Sequence, residues 1–203
     1  MILHNFDYIT IPLKTNNMEI DVTSLLSGNN KDDTLFHVIN VSRINGELAE
    51  QFGLARDKCI IGGLLHDISA IIKPEDMLNY AIDKHLEICE AERRFPFLLH
   101  QRISQVIANE YFGIIDADIL SAIECHTTLK ASPNKYDMAL FIADKLAWDQ
   151  EGTPPFYDDV KSALNESLEK ACFVYMRFMI DNKKVLYPHT NWTLGYESIK
   201  RRW

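Results

Sequence analysis

The chain has 203 residues, of which 47% are hydrophobic and 25% charged, and its formal net charge is −8. This composition is that of a folded globular protein with one substantial core, and it excludes a disordered chain. The acidic balance argues against nucleic-acid and anionic-membrane surfaces, because both need clustered Lys and Arg, and no apolar run approaches the ~20 residues that cross a bilayer.

The first predicted helices follow an ambiguous start. Within residues 1–30, the stretches ITIPL and MEIDV are compatible with short strands or with loop. Apolar residues then recur at helical spacing from Leu35 to Phe52, and Gly53 is a natural helix stop. Asp57 is placed to cap a second helix that ends at Leu65.

The middle and the end of the chain are also predicted to be helical. Further helices are expected, in chain order, from Pro74, over residues 98–112, from Asp116 through His126, and from Ser132-Pro133 to about Trp148. Gly152 to Pro155 is the clearest break. Beyond it we expect one long amphipathic helix over residues 157–182 and an irregular tail after Tyr187. The sequence therefore predicts an all-α fold in a single domain, with a core of about residues 30–150 and a C-terminal helix and tail over residues 151–203.

The four cysteines indicate a reducing compartment. None of them forms a CxxC pair, so neither a redox motif nor a zinc knuckle is predicted. The N-terminus MILHNFDYIT has no basic start followed by an apolar stretch, as a signal peptide would. We therefore expect a cytoplasmic protein with reduced thiols.

Five predicted helices each carry an ionisable residue among strongly apolar neighbours. These are His37 in LFHVI, His66 in LLHD, His100 in FLLHQ, His126 in IECHT and Asp144 in LFIADKL. One such histidine is usually a hydrogen-bonded core residue, but five buried polar groups would each need a partner. A shared metal site satisfies all of them at once, as in helical bundles whose ligands project inward.

The candidate ligand set also contains Asp67, which follows His66 at the end of the apolar run from Ile60 to Leu65. Mixed imidazole and carboxylate ligands suit Fe, Mn, Zn or another first-row metal rather than calcium. Four imidazoles and two carboxylates exceed what one tetrahedral ion binds. We therefore expect two divalent metal ions, with Asp67 as the bridge between them.

The ordered series H…HD…H…H…D on helices resembles the HD-domain metal-dependent phosphohydrolases. The matching stretches are FHVINVSRINGELAEQFGL, GGLLHDIS, FPFLLHQRIS, DILSAIECHTTL and LFIADKLAWDQ, over about residues 33–150. Their spacing looks most like the YqeK-like branch, the symmetrical diadenosine-tetraphosphate hydrolases. The resemblance implies an HD-domain helical bundle with a C-terminal helical extension, holding iron or another divalent ion such as Mn, Zn, Ni or Mg.

The resemblance also implies roles for individual residues. One metal would be held by His37, His66, Asp67 and Asp144, and the second by Asp67, His100 and His126. The implied reaction is hydrolysis of a nucleotide phosphoester or phosphoanhydride, such as diadenosine tetraphosphate to nucleoside diphosphates, by in-line attack of a metal-activated hydroxide. Asp67 and Lys145 are the expected catalytic residues.

Substrate contacts are expected from polar side chains near the motifs. Positive groups steady a transferring phosphoryl group, and the candidates are Lys145, Lys73, Arg102 and Lys130. Thr127 is a candidate hydrogen-bond donor to phosphate. The ordinary explanation of each lysine or arginine is a solvated surface cation. For Thr127 the ordinary explanation is helix termination. The stretch YMRFM, Tyr175 to Met179, favours core packing or a homodimer interface.

Two other functions would use the same metal site. A nucleotide-sensing regulatory module would bind its ligand without turnover, and a metal-dependent oxygenase would need redox-active iron. The intact ligand series favours the hydrolase, because loss of ligands is the expected mark of a pure binding module.

Overall fold

The computed structural model describes residues 6–15, 17–148, 151–185 and 187–202, and the regular elements in these parts are all helical. The helices, in chain order, are α1 (Met18–Gly28), α2 (Asp32–Phe52), α3 (Arg56–Leu65), α4 (Pro74–Asp83), α5 (Glu90–Arg94), α6 (His100–Glu110), α7 (Ala117–Cys125), α8 (Lys135–Leu146), α9 (Tyr157–Ala163), α10 (Leu168–Asp181) and α11 (Thr190–Lys200). Two 3₁₀ turns, Ile68–Ile71 and Pro96–Leu99, follow α3 and precede α6. The prediction of an all-α fold is confirmed.

The centre of the molecule is formed by α2, α3, α7 and α8. α2 packs along α3 and α8, while α7 packs against α3, α6 and α8. The closest helix contact depends on Gly63 of α3, where an added Cβ would lie 2.4 Å from the Cα of Ser42 in α2. Only glycine allows this approach, which brings the C-terminal end of α3 beside the first half of α2.

Helix ends follow the local sequence in most places. Gly53 ends α2 in the left-handed conformation, with φ of 65°, and the Asp116 side chain accepts hydrogen bonds from the first turn of α7. Pro74 occupies the first turn of α4, where its missing N–H costs nothing. The helix expected over residues 98–112 begins instead as a 3₁₀ turn and becomes α-helical at His100.

Two sequence-based expectations, for MEIDV and Asp57, are wrong in detail, whereas ITIPL follows the loop alternative. MEIDV is not a strand, because Asn17 accepts hydrogen bonds from the N–H groups of Glu19 and Ile20 and starts α1 there. Residues 9–13, ITIPL, adopt no helix or strand. Asp57 does not cap α3: Ala55 is the N-cap residue, and Asp57 lies in the first turn, where its charge favours the helix dipole.

The C-terminal region differs most from expectation. The single helix predicted over residues 157–182 is two helices, because Ser167 turns the chain and accepts a hydrogen bond from the N–H of Lys170, which caps α10. The tail is not irregular, since His189 caps α11 through Nδ1, which accepts from the N–H of Asn191. α10 packs against α8, α9 and α11, so this region covers one side of the central helices.

Within the described residues, no helix combines the length and the apolar character needed to cross a membrane.

Candidate metal centre

The structure brings six predicted ligands from five segments into one cluster. On one side of the cluster, His37 Nε2 of α2 lies 3.3 Å from His66 Nε2 and 3.0 Å from Asp144 Oδ1 of α8. Asp144 Oδ1 is also 3.6 Å from His66 Nε2. Ligands at about 2.1 Å from a shared ion stand about 3.0–3.5 Å apart, so these three groups are spaced as donors around one cation.

The other side of the cluster contains the second pair of histidines. His100 Nε2 lies 3.1 Å from His126 Nε2, and Asp67 Oδ1 lies 3.3 Å from His126 Nε2 and 3.6 Å from His100 Nε2. The other carboxylate oxygen of Asp67 faces the first side, at 3.5 Å from His66 Nε2. Asp67 therefore presents one oxygen to each group of ligands. The two triads His37, His66, Asp67 and Asp67, His100, His126 each have donor atoms close enough to hold an ion.

Backbone carbonyls orient three of the four imidazoles in the same way. Each ring hydrogen-bonds through Nδ1 to the carbonyl three residues earlier, at 2.7 Å for His66, 2.6 Å for His100 and 2.9 Å for His126. His66 and His126 follow the last turns of α3 and α7, where carbonyls have no helical partner. Because Nδ1 then carries the proton, Nε2 presents a lone pair to the cluster, as in metal-bound histidines.

This arrangement fits a metal and is unfavourable without a cation. The Nε2 lone pairs of His100 and His126 face each other at 3.1 Å and are both acceptors, so they repel unless a positive charge lies between them. Asp67 Oδ1 is buried and has no hydrogen-bond partner among the described residues. Imidazole and carboxylate are ligands for first-row divalent metals. Such an ion would remove the repulsion between the facing lone pairs and would give Asp67 Oδ1 a partner.

Charge in the cluster is consistent with ionised carboxylates and with a neutral imidazole at His126. Burial alone would raise the pKa of Asp67, but the facing imidazoles of His66, His126 and His100 hold it well below its usual value. Burial lowers the pKa of His126 to about 4, partly offset by the adjacent carboxylate of Asp67, so this ring is neutral at pH 7. Burial would also lower the pKa of His66, yet the adjacent carboxylates of Asp67 and Asp144 raise it. The carboxylates therefore attract positive charge to this position.

Lys145 and Thr127 lie at the edge of the cluster, as predicted. The Lys145 ammonium contacts Asp144, and although burial would lower its pKa, that carboxylate raises it. The Thr127 hydroxyl lies 2.9 Å from His100 Nε2. A protonated amine and a hydroxyl thus stand beside the ligand atoms, where they can contact a bound anion.

The other three predicted substrate contacts are engaged elsewhere. Arg102 binds the Glu87 carbonyl and lies 3.3 Å from the carboxylate of Glu92, and Lys130 lies 3.4 Å from Asp137. The Lys73 ammonium stands over the ring of Tyr8, at 4.2 Å from its centroid. None of the three is among the residues that line the described cavities bordering the cluster.

Three neighbouring cavities share lining residues at the cluster. The first, of about 530 Å³, is bordered by His37, Asp67 and Trp148, and also by Asp33 and Asn40. The second, of about 350 Å³, shares those first three residues. A third, of about 370 Å³, shares Lys145 and residues of α10 with the second. We call these three cavities the trough; the ligands His37, Asp67 and Asp144 border it rather than a closed core.

The sequence gives no signal for the C-terminal residues of this trough. Tyr175 and Met179 line the second and third cavities, so part of the YMRFM stretch faces the site; its role in a homodimer interface stays a prediction. Lys184 lines the same two cavities, but it is one of two adjacent lysines in an ordinary polar turn. Only the packing of α10 on α8 reveals which of these side chains meets the site.

A third cluster of potential ligands, Cys89, Glu92 and His189, has a structural explanation. His189 Nδ1 accepts the N–H of Asn191, so its proton resides on Nε2, which faces Glu92 Oε1 at 3.4 Å. Glu92 also accepts the N–H of Cys89 and pairs with Arg102. These contacts fasten the start of α11 to the segment before α6.

Comparisons with known proteins agree with the geometry. The family model described as "HD domain" matches residues 34–149. The chain is 35% identical over 164 residues to an uncharacterized protein in the pepC 5′ region of Lactococcus lactis subsp. cremoris, covering 80% of this chain and 83% of that one. It is 25% identical over 167 residues to the symmetrical bis(5′-nucleosyl)-tetraphosphatase of Bacillus subtilis, covering 78% and 88%.

A solved structure has the same architecture. It is described as a predicted HD superfamily hydrolase involved in NAD metabolism from Clostridium acetobutylicum. The TM-score is 0.81 at 25% identity, covering 91% of this chain and 97% of that one. The likeness extends beyond the 34–149 match, so it includes most of the C-terminal helices.

Proposed function

Because the chain belongs to the HD domain family and is a metal-dependent phosphohydrolase of its YqeK-like branch, we propose that it hydrolyses dinucleoside polyphosphates to nucleoside diphosphates. Diadenosine tetraphosphate is the proposed substrate, cleaved symmetrically at the central phosphoanhydride. Relatives from Bacillus subtilis and Staphylococcus aureus, at 25% and 28% identity, carry the name of that activity.

The observation that carries the proposal is the position of Asp67, whose two oxygens face separate ligand groups on the floor of an open trough. We propose that His37, His66, Asp67 and Asp144 hold one divalent ion and that Asp67, His100 and His126 hold a second. Iron is the proposed physiological metal. When bound, such ions supply a nucleophile from water at neutral pH and polarise the phosphoryl oxygens.

Side chains of the protein would also contact the phosphate groups of the substrate directly. Lys145 is positioned by Asp144 at the junction of the second and third cavities, where its charge would stabilise a phosphoryl group in transfer. The Thr127 hydroxyl would donate a hydrogen bond to a phosphate oxygen. One cavity of the trough borders His37 and Asp67 and another lies next to Lys145, which suits a long substrate whose scissile bond lies at its middle.

We further propose that all 203 residues act as one domain in the cytoplasm. α10 packs on α8, and Glu92 of α5, which pairs with Arg102 of α6, faces His189 at the start of α11. Removing the C-terminal helices would therefore expose the site as well as the core.

A nucleotide panel tests this function. Protein of measured metal content is incubated with diadenosine tetraphosphate, diadenosine triphosphate, ATP and ADP, and products are separated by ion-exchange chromatography. We expect ADP as the sole product from diadenosine tetraphosphate. Formation of AMP and ATP would show asymmetric cleavage and contradict the proposal, as would binding of the nucleotide without turnover.

A further inference from the structure

The third cavity differs in character from the rest of the trough. Its walls are mainly apolar and aromatic, formed by Phe95, Tyr175, Met179, Tyr187 and Trp192. The rings of Phe95 and Tyr187 stack with centroids 5.6 Å apart and an angle of 15° between planes, and each residue is 43% exposed. A flat, half-open pair of rings beside a cavity of about 370 Å³ has the size and surface of a site for a planar aromatic group.

The first cavity, which borders His37 and Asp67, is less suited to tight binding of a charged nucleotide. Its wall also carries Asp33, Thr34 and Asn40, and no Lys or Arg is among its lining residues in the described part of the chain. A carboxylate there repels phosphate oxygens. The half of the substrate that is bound more tightly should therefore lie toward the third cavity.

Positive charge lies between the ligand atoms and the aromatic cavity. Lys145 and Lys184 both line the second and the third cavity, and Thr127 lines the third. A phosphate chain that leaves the metal ligands in this direction meets two ammonium groups and a hydroxyl before it reaches the rings. The order of groups along the trough thus matches the order of groups in a nucleoside diphosphate.

Trp192 forms a buried part of the wall of the aromatic cavity. It is 9% exposed, and its indole nitrogen is itself shielded and has no hydrogen-bond partner among the described residues. An apolar pocket with few polar groups is the usual form of a small-molecule site.

We propose that the cavity between Phe95, Tyr175, Met179, Tyr187 and Trp192 binds the base of one nucleotide half, so that the C-terminal helices select the nucleoside. This inference rests on the proposed function in that the ligand is a nucleotide held at the metal centre. It goes further in assigning nucleoside selection mainly to residues 175–192, outside the matched 34–149 segment, with Phe95 as the one pocket residue named above that lies inside it. The base on the other half lies toward the open, polar first cavity and is selected weakly.

Binding measurements separate this pocket from the rest of the site. Dissociation constants for ADP and for inorganic pyrophosphate are measured by titration calorimetry on the metal-loaded full chain. We expect ADP to bind at least tenfold more tightly than pyrophosphate. Tyr187→Ala should weaken ADP binding about tenfold, as for loss of one stacking contact, and leave pyrophosphate binding within twofold.

The matched control is Tyr196→Ala. Tyr196 also stacks on a phenylalanine, Phe173, at 6.0 Å and 10°, but it lines a neighbouring groove and is not among the residues that line the third cavity. This variant should bind ADP as the unaltered chain does. Equal affinity for ADP and pyrophosphate, or equal loss in both tyrosine variants, would overturn the proposed pocket.

Turnover is measured separately on the same preparations. If diadenosine tetraphosphate is not hydrolysed while ADP still binds more tightly than pyrophosphate in a Tyr187-dependent manner, the proposed substrate fails and the base pocket stands. Symmetrical hydrolysis with no effect of Tyr187→Ala on ADP affinity would leave the proposed function intact and remove the pocket.

Discussion

The central helices and the C-terminal helices contribute to the same trough by different physical means. The central helices provide buried ionisable groups: His66 is fully buried and His126 is 1% exposed, and each is oriented by a backbone carbonyl. The segment between the C-terminal helices α10 and α11 provides a half-exposed ring, Tyr187, and an exposed lysine, Lys184. Groups that hold a metal must be fixed before it binds, whereas groups that contact an organic ligand can adjust to it.

This difference predicts how each region responds to substitution. A buried ligand atom has no substitute within reach, so its loss should remove activity altogether. A half-exposed side chain is one of several contacts with the ligand, and its loss should change affinity by a limited factor. Substitutions in the two regions, and at the contact between them, test whether this division is correct.

The largest effect is expected from Asp67→Asn. The amide removes the negative charge and leaves one oxygen where two now face separate ligand groups. Because changes in groups that only support metal ligands cost 10–100-fold, loss of this ligand should lower kcat by more than about 10³-fold. Metal content, measured by mass spectrometry, should fall in parallel.

The control for lost charge is Asp33→Asn. Asp33 is an exposed carboxylate at the outer wall of the first cavity and contacts none of the ligand atoms. Its amide variant should retain full metal content. Full metal content in Asp67→Asn itself would contradict the bridging role.

The next effect is expected where the two regions meet, in Glu92→Ala. Glu92 is fully buried, and its removal leaves Arg102 and His189 without their shared carboxylate. Breaking a buried ion pair by deleting one partner costs about 3–5 kcal/mol, which urea unfolding would measure. Glu90→Ala, two residues earlier, removes an exposed pair with Arg94 and should cost less than about 1 kcal/mol.

The Glu92 contribution should also depend on pH. Burial would raise the pKa of this carboxyl, but His189, the Cys89 N–H and Arg102 lower it from the ordinary 4.5. Its stabilisation is therefore complete above pH 4.5 and is lost as the pH falls through the lower, native-state pKa. The stability gap between the unaltered chain and Glu92→Ala should narrow progressively below pH 4.5. A gap that is constant down to pH 3 would contradict the assigned role.

Sequence patterns identify the central region well, for a physical reason. A histidine or aspartate that ends an apolar helical run, as His66 does after Leu65, has to be neutralised or hydrogen-bonded. Five such positions therefore predicted one cluster, and the structure brings them together. The C-terminal region carries no comparable pattern, since Ser167 can cap a helix or occupy a helix surface equally well. The division of residues 157–182 into two helices thus depended on tertiary packing.

Side-chain roles in binding were predictable to a lesser degree. Lys145 lies at the site because it follows Asp144 on the same helix, so its closeness in sequence to a ligand was enough to predict its position. Lys73, Arg102 and Lys130 were also close in sequence to ligands, but each has a nearer partner in the folded chain. Lys184 is distant in sequence from every ligand, and only the fold brings it to the trough.

A smaller effect is expected from the close helix contact in the central region. In Gly63→Ala the new methyl group would lie 2.4 Å from the backbone of Ser42 and would force α3 away from α2. We expect a loss of about 1–3 kcal/mol in unfolding free energy and weaker metal binding, because the 3.3 Å approach of His66 to His37 depends on this contact.

The adjacent glycine is the control for this variant. At Gly62 an added Cβ would lie 3.7 Å from a methyl carbon of Leu140, an ordinary contact distance. Gly62→Ala should therefore be neutral or gain up to about 1 kcal/mol from higher helix propensity. Equal destabilisation by the two variants, measured in urea, would show that the α2–α3 approach is not the limiting contact.

The smallest effect, and the sharpest test of the C-terminal contribution, is expected from Lys184→Ala. The ammonium of Lys184 is exposed and borders the second and third cavities, where the phosphate chain is proposed to lie. An exposed charge contributes up to about 1 kcal/mol, so KM for the dinucleotide should rise about threefold to fivefold while kcat stays within twofold.

Lys183→Ala removes the same charge one residue earlier, where the side chain borders a separate groove with Ile180 and Tyr196. It should leave KM unchanged, and added salt should reduce the difference between the two variants, because screening weakens exposed charges. If both lysine variants raise KM equally, the effect reflects the net charge of the surface, and the C-terminal turn makes no specific phosphate contact. If kcat falls together with kcat/KM in Lys184→Ala, the lysine acts on the transition state. The division between a fixed catalytic region and an adaptable binding region would then be wrong at this position.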